Sequence, residues 1–435
     1  MTETSFASMP VWIDDSHIDP AWIKEKLPDL QHVSKCAVID ISNDRRRGEK
    51  VREGTTLLLT LTSLMGEHGK STTMVAKQVA PSGLQLSCKL GLAREAMFYN
   101  KLAPKVRVSS LDESCIPKIY YSHGDMSNGS KIVFMEDLSS RYIDSGIIFG
   151  PGNPNNWSRD LESQIADAYH TVSSIPTSFE VANQTFLAIA KVHATFWRDN
   201  ELLQEEYHWL RGSSWISGKG EDTWWASQKM LQSMCEKYLE REKKREDEVE
   251  SIEWDPLLRD IVEKAMNGIS WESHLKRLNV DSHFCLVHGD FWPGNVMIEK
   301  DETRTTAPSS TTSVRGVRDL RLLDWEMVGL GSGPQDLGQY ILSNIDPQER
   351  RECEEQLIRN YYEKLVQLGV RDLSWEYCWS EYTIGGLERW LWFLVYFCSQ
   401  EGSVMLKWAQ FFHNQMKEFV HDHSIRSEHV TQPRP

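Results

Sequence analysis

The sequence predicts an α+β chain in two lobes: a small, β-rich N-terminal lobe over residues 1–138 and a larger, mainly helical C-terminal lobe over 139–435. Three observations carry that expectation. Short runs of β-branched and apolar residues crowd the first part of the chain. From about Ser139 the pattern changes to long amphipathic segments, among them VANQTFLAIAKVHATFWRDN, whose apolar residues recur at helical spacing. The 435 residues also exceed the roughly 250–300 at which a single core stops growing.

The elements follow in order. DPAWIKEKL opens with a helix signal, Asp19 as the cap and Pro20 in the first turn. CAVIDI, TTLLLTLT and TTMVAKQVA read as three strands of an antiparallel sheet. GLAREAMFYNKLAP reads as a helix ended by Pro104. Two further strands, IPKIYYSHGD and SKIVFMEDL, complete the lobe. The Gly-, Pro- and Asn-rich IIFGPGNPNNWS then leads into the helices. An island of strands interrupts them at Phe284–His288, Val296–Ile298 and Leu320–Asp324, with residues 299–316 as a flexible surface insert. The charged EKYLEREKKREDEVESIE reads as a solvated helix.

Composition narrows the function classes. Lys plus Arg number 48 and Asp plus Glu 63, a formal charge of −15, which argues against binding nucleic acid by phosphate neutralisation. The basic clusters Arg45-Arg46-Arg47 and Lys243-Lys244-Arg245 are flanked by acids and read as solvated surface. Eight cysteines from Cys36 to Cys398 include no Cys-x-x-Cys pair, and no signal peptide is apparent, so a reduced, cytoplasmic protein is expected. The apolar run Trp390–Cys398 covers nine residues, whereas a membrane span needs about 20. No membrane span is expected, and the oligomeric state stays open.

The chemistry concentrates in LVHGDFWPGNVMI and LRLLDW. Asp290 and Asn295 are five apart on a loop between two short strands, and Asp324 closes a third. Buried carboxylates near each other imply a cation or a proton-transfer task. Mg²⁺ favours a few carboxyl or amide oxygens together with phosphate oxygens, which suits Asn295 and Asp324. Asp290 is then left to accept a proton from a hydroxyl. The same D-x-x-x-x-N spacing, followed by an Asp at a later strand end, is the phosphoryl-transfer layout of protein kinases.

The first lobe supplies an independent constellation. Period-2 alternation puts Thr73, Val75, Lys77 and Val79 on one face of a strand, so Lys77 projects from a mostly apolar side and needs an anion. On the next helix Leu92, Glu95, Ala96, Tyr99 and Leu102 share a face, which turns Glu95 inward. Such a Lys–Glu pair orders the lysine to grip nucleotide phosphates.

VAK at Lys77, REAMFYNKL at Glu95, IVFMEDL, HGDFWPGN and LDWE together resemble the aminoglycoside phosphotransferase and choline kinase superfamily, including its ecdysteroid kinase-like group. The resemblance runs from about Lys77 to Tyr340. It implies a protein-kinase-like bilobal fold and ATP-dependent phosphorylation of a small-molecule hydroxyl. It further implies that Lys77 holds phosphates, Glu95 holds Lys77, Asp290 is the catalytic base, and Asn295 and Asp324 bind Mg²⁺. Met135–Leu138 is the implied hinge, receiving adenine through backbone groups of Glu136 and Leu138. His288 and Asp336 are implied as loop scaffolding, and His193 reads as a packed core histidine. The sequence departs from the kinase pattern between Ile41 and Thr56, where the nucleotide-covering loop should lie, because it holds no G-x-G-x-x-G.

For the acceptor site the candidates are Trp292, Glu326, Glu388, Trp390 and Trp392. An aromatic wall with carboxylates holds an organic ammonium by cation–π contact and ion pairing, so an amine-bearing alcohol is expected, whether choline-, aminoglycoside- or hydroxytryptamine-like. A neutral sterol is also compatible, the rings then serving as packing. The competing classes are a catalytically inactive nucleotide-binding scaffold and a protein kinase. The first is disfavoured by the full polar set, the second by the lack of an A-P-E-like segment after Asp324.

Overall fold

The computed structural model describes residues 33–40, 56–63, 71–109, 114–243, 252–279, 283–301 and 316–432. The expected opening helix at Asp19, the covering loop between Ile41 and Thr56 and most of the 299–316 insert lie outside the described residues. The chain forms two compact units. The first is Met1–Ile143 together with Arg321–Met327, and the second is Asp144–Leu320 together with Val328–Pro435. The boundary thus lies beyond the expected hinge, and the segment carrying LDWE packs with the first unit.

The first unit is built on a five-stranded antiparallel sheet of β1 (Val33–Asp40), β2 (Thr56–Ser63), β3 (Ser71–Gln78), β4 (Ile119–Asp125) and β5 (Ser130–Glu136), in the order β1-β2-β3-β5-β4. On β3 the buried face carries Met74, Ala76 and Gln78, while Lys77 and Val75 are half-buried. Lys77 therefore stands on the less buried side of the strand, not the apolar one expected. Strand β5 is buried on both faces from Ser130 to Met135, the pattern of a strand covered on each side.

Helices α1 (Leu84–Leu90), α2 (Arg94–Lys101) and α3 (Ala103–Ser109) follow β3. Pro104 does not end the helical stretch as expected. It is the second residue of α3, in a first turn where its missing N–H has no intrahelical partner to lose. Helix α2 buries Glu95, Ala96, Phe98 and Tyr99 and is pinned to β4 by Asn100 and Ser122, whose side chains hydrogen-bond at 2.5 Å. A backbone hydrogen bond and a ring stack are among the contacts that join Arg321–Met327 to this unit. Leu322 N–H donates to Cys115 O at 2.8 Å, and the buried Trp325 ring stacks on Phe98 with centroids 4.1 Å apart.

The second unit is mainly helical: α4 (Leu161–Ala168), α5 (Ser178–Thr195), α6 (Glu221–Lys243), α7 (Pro256–Asn267), α8 (Trp271–Asn279), α9 (Gly333–Asn344), α10 (Pro347–Gln367), α11 (Trp375–Ser380), α12 (Gly386–Ser399) and α13 (Ser403–Asp422). Helix α5 begins at a capping box in which Thr177 and Glu180 satisfy each other's backbone N–H groups. The short strands are β6 (Tyr142–Asp144), at the boundary, then β7 (Phe284–Val287), β8 (Val296–Glu299), β9 (Leu320–Leu322), also at the boundary, and β10 (Gly329–Ser332). Strand β7 pairs antiparallel with β10, from Phe284↔Ser332 to Val287↔Gly329, and not with β8. The stretch LVHGDFWPGNVMI is therefore not a hairpin folded back on itself: its first strand is fixed by a segment more than 40 positions later.

Helices α9 and α12 cross at two glycines. A Cβ on Gly338 would come within 2.6 Å of Gly386 Cα, so only glycine permits the approach. A single π-helical turn, Glu381–Gly385, leads into α12. Among the described residues no helix is long and apolar enough to cross a membrane.

Candidate active site

In the first unit, Lys77 and Glu95 meet as their faces require, with Nζ 3.0 Å from Glu95 Oε2. Two more carboxylates converge on the same amine. Asp324 Oδ1 lies at 2.6 Å and Glu326 Oε1 at 3.0 Å. Asp324 takes a left-handed backbone, φ 63°, which Asp tolerates better than most residues. The turn sets Asp324 and Glu326 on either side of the buried Trp325, and the Phe98 stack ties that turn to the helix carrying Glu95.

A second lysine, absent from the sequence reading, completes the cluster. Lys131 on β5 donates to Glu95 Oε2 at 2.7 Å and to Glu326 Oε1. The Lys131 side chain is 1% exposed, that of Lys77 23%. Burial alone pulls the Lys77 amine down, but the charges of Asp324, Glu326 and Glu95 and the Asp324 hydrogen bond outweigh it. The net shift is well above the ordinary value, so Lys77 is protonated. Glu95 Oε1 is buried with no hydrogen-bond partner. One oxygen from each of Glu95, Asp324 and Glu326 lies within 4.8 Å of the others, and the two lysines supply the positive charge that holds the three carboxylates together.

In the second unit, the loop after β7 presents Asp290 between two amides. Asn295 Nδ2 donates to Asp290 Oδ2 at 3.1 Å and to its backbone O at 2.9 Å, while Gln339 Nε2 donates to Asp290 Oδ1 at 3.3 Å. Asn295 thus gives its nitrogen to Asp290, and its amide oxygen is the end suited to a cation. Gly289, at φ 78°, makes the sharp turn that precedes Asp290.

A buried framework holds that turn. Asp336 at the start of α9 accepts from His288 N–H (2.7 Å) and Gly289 N–H (3.2 Å), and it lies 3.4 Å from His193 Nε2. His193 Nδ1 is 2.7 Å from the Tyr361 hydroxyl. Burial by itself raises the Asp336 carboxyl, but the His193 hydrogen bond and charge, with His288, hold it below its ordinary value. Asp290 N–H donates to His288 Nδ1 at 3.4 Å, so His288 acts within the loop framework.

Arg389 closes the framework. It sits on α12, 6% exposed, and donates Nη2–H to Gly289 O. Burial lowers its guanidinium to about 10, opposed by the charges of Asp336 and Asp290, so it stays cationic at neutral pH. The Gly338–Gly386 crossing sets Gln339 and Arg389 close enough to serve one loop.

The remaining sequence candidates fall in varied places. Glu326 joins the lysine cluster and not an acceptor wall. Glu388 is fully buried and accepts from Thr431 N–H at 3.0 Å and from its hydroxyl at 3.3 Å. Trp390 is core: its indole N–H donates to Gln339 O at 3.1 Å and its ring packs on Phe412 with centroids 4.5 Å apart. Trp392 is half-buried and stacks with Tyr396. The half-buried Trp292 ring lies across Gly294, where a Cβ would come within 2.1 Å of it. In the hinge, Glu136 N–H is used by Lys118 O at 2.9 Å, and Leu138 O accepts from Tyr142 N–H at 2.8 Å and Arg141 N–H at 3.2 Å.

Sequence reasoning missed Lys131, Gln339 and Arg389. Two of them carried a signal. Lys131 immediately precedes the apolar run IVFM on a doubly covered strand, and Arg389 is the one basic residue in GGLERWLWFLVYF. A charge in such a run requires a buried counter-charge. Gln339 carried none.

A β-rich unit with a lysine held by a helical glutamate, and a helical unit with a D-x-x-x-x-N loop, define the class as kinase-like. The model of the Ecdysteroid kinase-like family matches residues 162–374, just under half of the chain, so over that stretch the chain is similar to that family. No curated protein matches the chain significantly. Solved structures similar to it include an ethanolamine kinase of Plasmodium vivax (TM-score 0.43, 10% identity, 83% of this chain and 79% of that one). A choline kinase of Cryptosporidium parvum has TM-score 0.42 and 12% identity, covering 93% of this chain and 96% of that one. A choline/ethanolamine kinase family protein of Mesorhizobium loti has TM-score 0.38 and 12% identity, covering 84% and 85%.

Proposed function

We propose that the protein transfers a phosphoryl group from Mg²⁺·ATP to the hydroxyl of a small molecule. The observation that carries this reading is Asp290, held from both carboxylate oxygens by the neutral amides of Asn295 and Gln339 on a backbone-anchored turn. So held, it is oriented to accept the acceptor's hydroxyl proton. Lys77, protonated and partly exposed, supplies the cation for the nucleotide phosphates, and Glu95 orients it. Asn295 and Asp324 offer hard oxygens to Mg²⁺, which when bound neutralises phosphate charge as transfer proceeds. Leu138 N–H is the hinge group offered to the adenine, since its carbonyl already accepts two N–H groups.

The acceptor is proposed as a hydroxyl-bearing small molecule. Of the features that suggest an amine, the −15 charge and Trp292 stand, whereas Glu326 and Glu388 serve other partners. The test is a mass-increase screen of the protein with Mg²⁺·ATP against a library of alcohols and amino alcohols, alongside Asp290→Ala. The expected result is one phosphorylated product class, lost in the variant while nucleotide still raises the variant's melting temperature. Nucleotide binding without turnover of any acceptor would favour a scaffold instead.

A further inference from the structure

Lys131 has no part in the proposed phosphoryl transfer, yet it occupies the same two carboxylate oxygens as Lys77. Glu95 Oε2 lies 2.7 Å from the Lys131 amine and 3.0 Å from that of Lys77, and Glu326 Oε1 contacts both. The two lysines differ in freedom. Lys131 is almost fully buried on a strand covered on each face, while Lys77 is partly exposed and makes a third contact with Asp324. Three carboxylates face two cations. Were Lys77 their sole partner, its turning toward an anionic ligand would leave the buried Glu95 and the half-buried Glu326 without counter-charge, a costly state above all for Glu95. With Lys131 in place both carboxylates stay neutralised.

We propose that Lys131 is a positioning residue that keeps Glu95 and Glu326 paired, so that Lys77 is released to the phosphates of a bound nucleotide. The inference rests on the phosphoryl-transfer reading and adds to it a division of labour between a fixed and a movable lysine.

The experiment is a double-mutant cycle on the full chain: parent, Lys77→Met, Lys131→Met and the double variant. Each is titrated by calorimetry with the Mg²⁺ complex of the β,γ-imido analogue of ATP, and melted without ligand to separate stability from binding. Lys131→Met is expected to weaken analogue binding about 10-fold in the parent and less than about 2-fold when Lys77 is already Met, because it acts through Lys77. A merely structural lysine would produce equal losses in both backgrounds, which would overturn the inference alone. A folded parent that binds no analogue would overturn both the inference and the reading beneath it. Should Lys131→Met fail to fold, the cycle is run in a Glu326→Gln background, which removes one carboxylate of the cluster. The expected coupling keeps its sign there, and additivity again refutes it.

Discussion

Replacing Arg389 by Met removes a buried cation and its donor to Gly289 O while keeping most of the side-chain volume. Arg389 stands over the Phe393 ring at 5.3 Å, beside Asp336 and Asp290, with almost no water to replace what is lost. A charge-assisted hydrogen bond is worth about 1.5–3 kcal/mol. Stripping a buried carboxylate of its cation costs about 3–5 kcal/mol. The two overlap, since Asp336 keeps His193 and two backbone donors, so a loss of about 3–4 kcal/mol is expected. At roughly 2–4 °C per kcal/mol for a body of this size, the melting temperature falls by roughly 6–16 °C. The peptide just before Asp290 also loses its anchor, and a misplacement of about 1 Å costs on the order of 100-fold in rate. Arg389→Lys is expected to recover part of the stability but little of kcat, because an ammonium lacks the guanidinium's reach and planarity. Calorimetric melting and coupled ADP release measure the two effects. A variant that melts within about 1 °C of the parent, with kcat within about twofold, would refute the framework role.

Two further predictions concern the supports of the two clusters. Phe98→Ala removes the ring stacked on Trp325 and is expected to cost about 3–5 kcal/mol. Because α2 also carries Glu95, nucleotide-induced stabilisation should shrink with it, and melts with and without Mg²⁺·ATP read both effects. Asp336 has a carboxyl held below its ordinary value, so its contribution is complete above the unfolded value near pH 4 and is lost as pH falls through the lower folded value. Asp336→Asn should therefore be less stable than the parent at pH 6, and should lose less further stability between about pH 4.5 and 3. Parallel slopes in denaturant titrations across that range would sink the assignment.

The positions proposed to carry the chemistry stand out in the sequence because each is encoded locally. HGDFWPGN and LDWE carry their polar groups inside apolar strands, where polar side chains are costly unless they have a task. Helical periodicity alone turned Glu95 inward, and the buried face of α2 bears it out. Strand alternation put Lys77 and its neighbours on one face but not which face was covered, since that depends on what packs against the sheet. Pro104 was misjudged for a related reason: a proline that stops one helix serves equally well in the first turn of the next.

What lay beyond the linear pattern depends on contacts between residues far apart in the chain. The pairing of β7 with β10, the union of Lys131 with Glu95 and Glu326, the Gly338–Gly386 crossing and the reach of Arg389 to Gly289 join positions 36 to 195 residues apart. Local periodicity says only that such a side chain faces inward. Which counter-charge it meets there is set by the packing of whole elements, and for this protein that packing leaves Lys77 partly exposed, buries Lys131 on the same carboxylate oxygens and places Trp390 in the core.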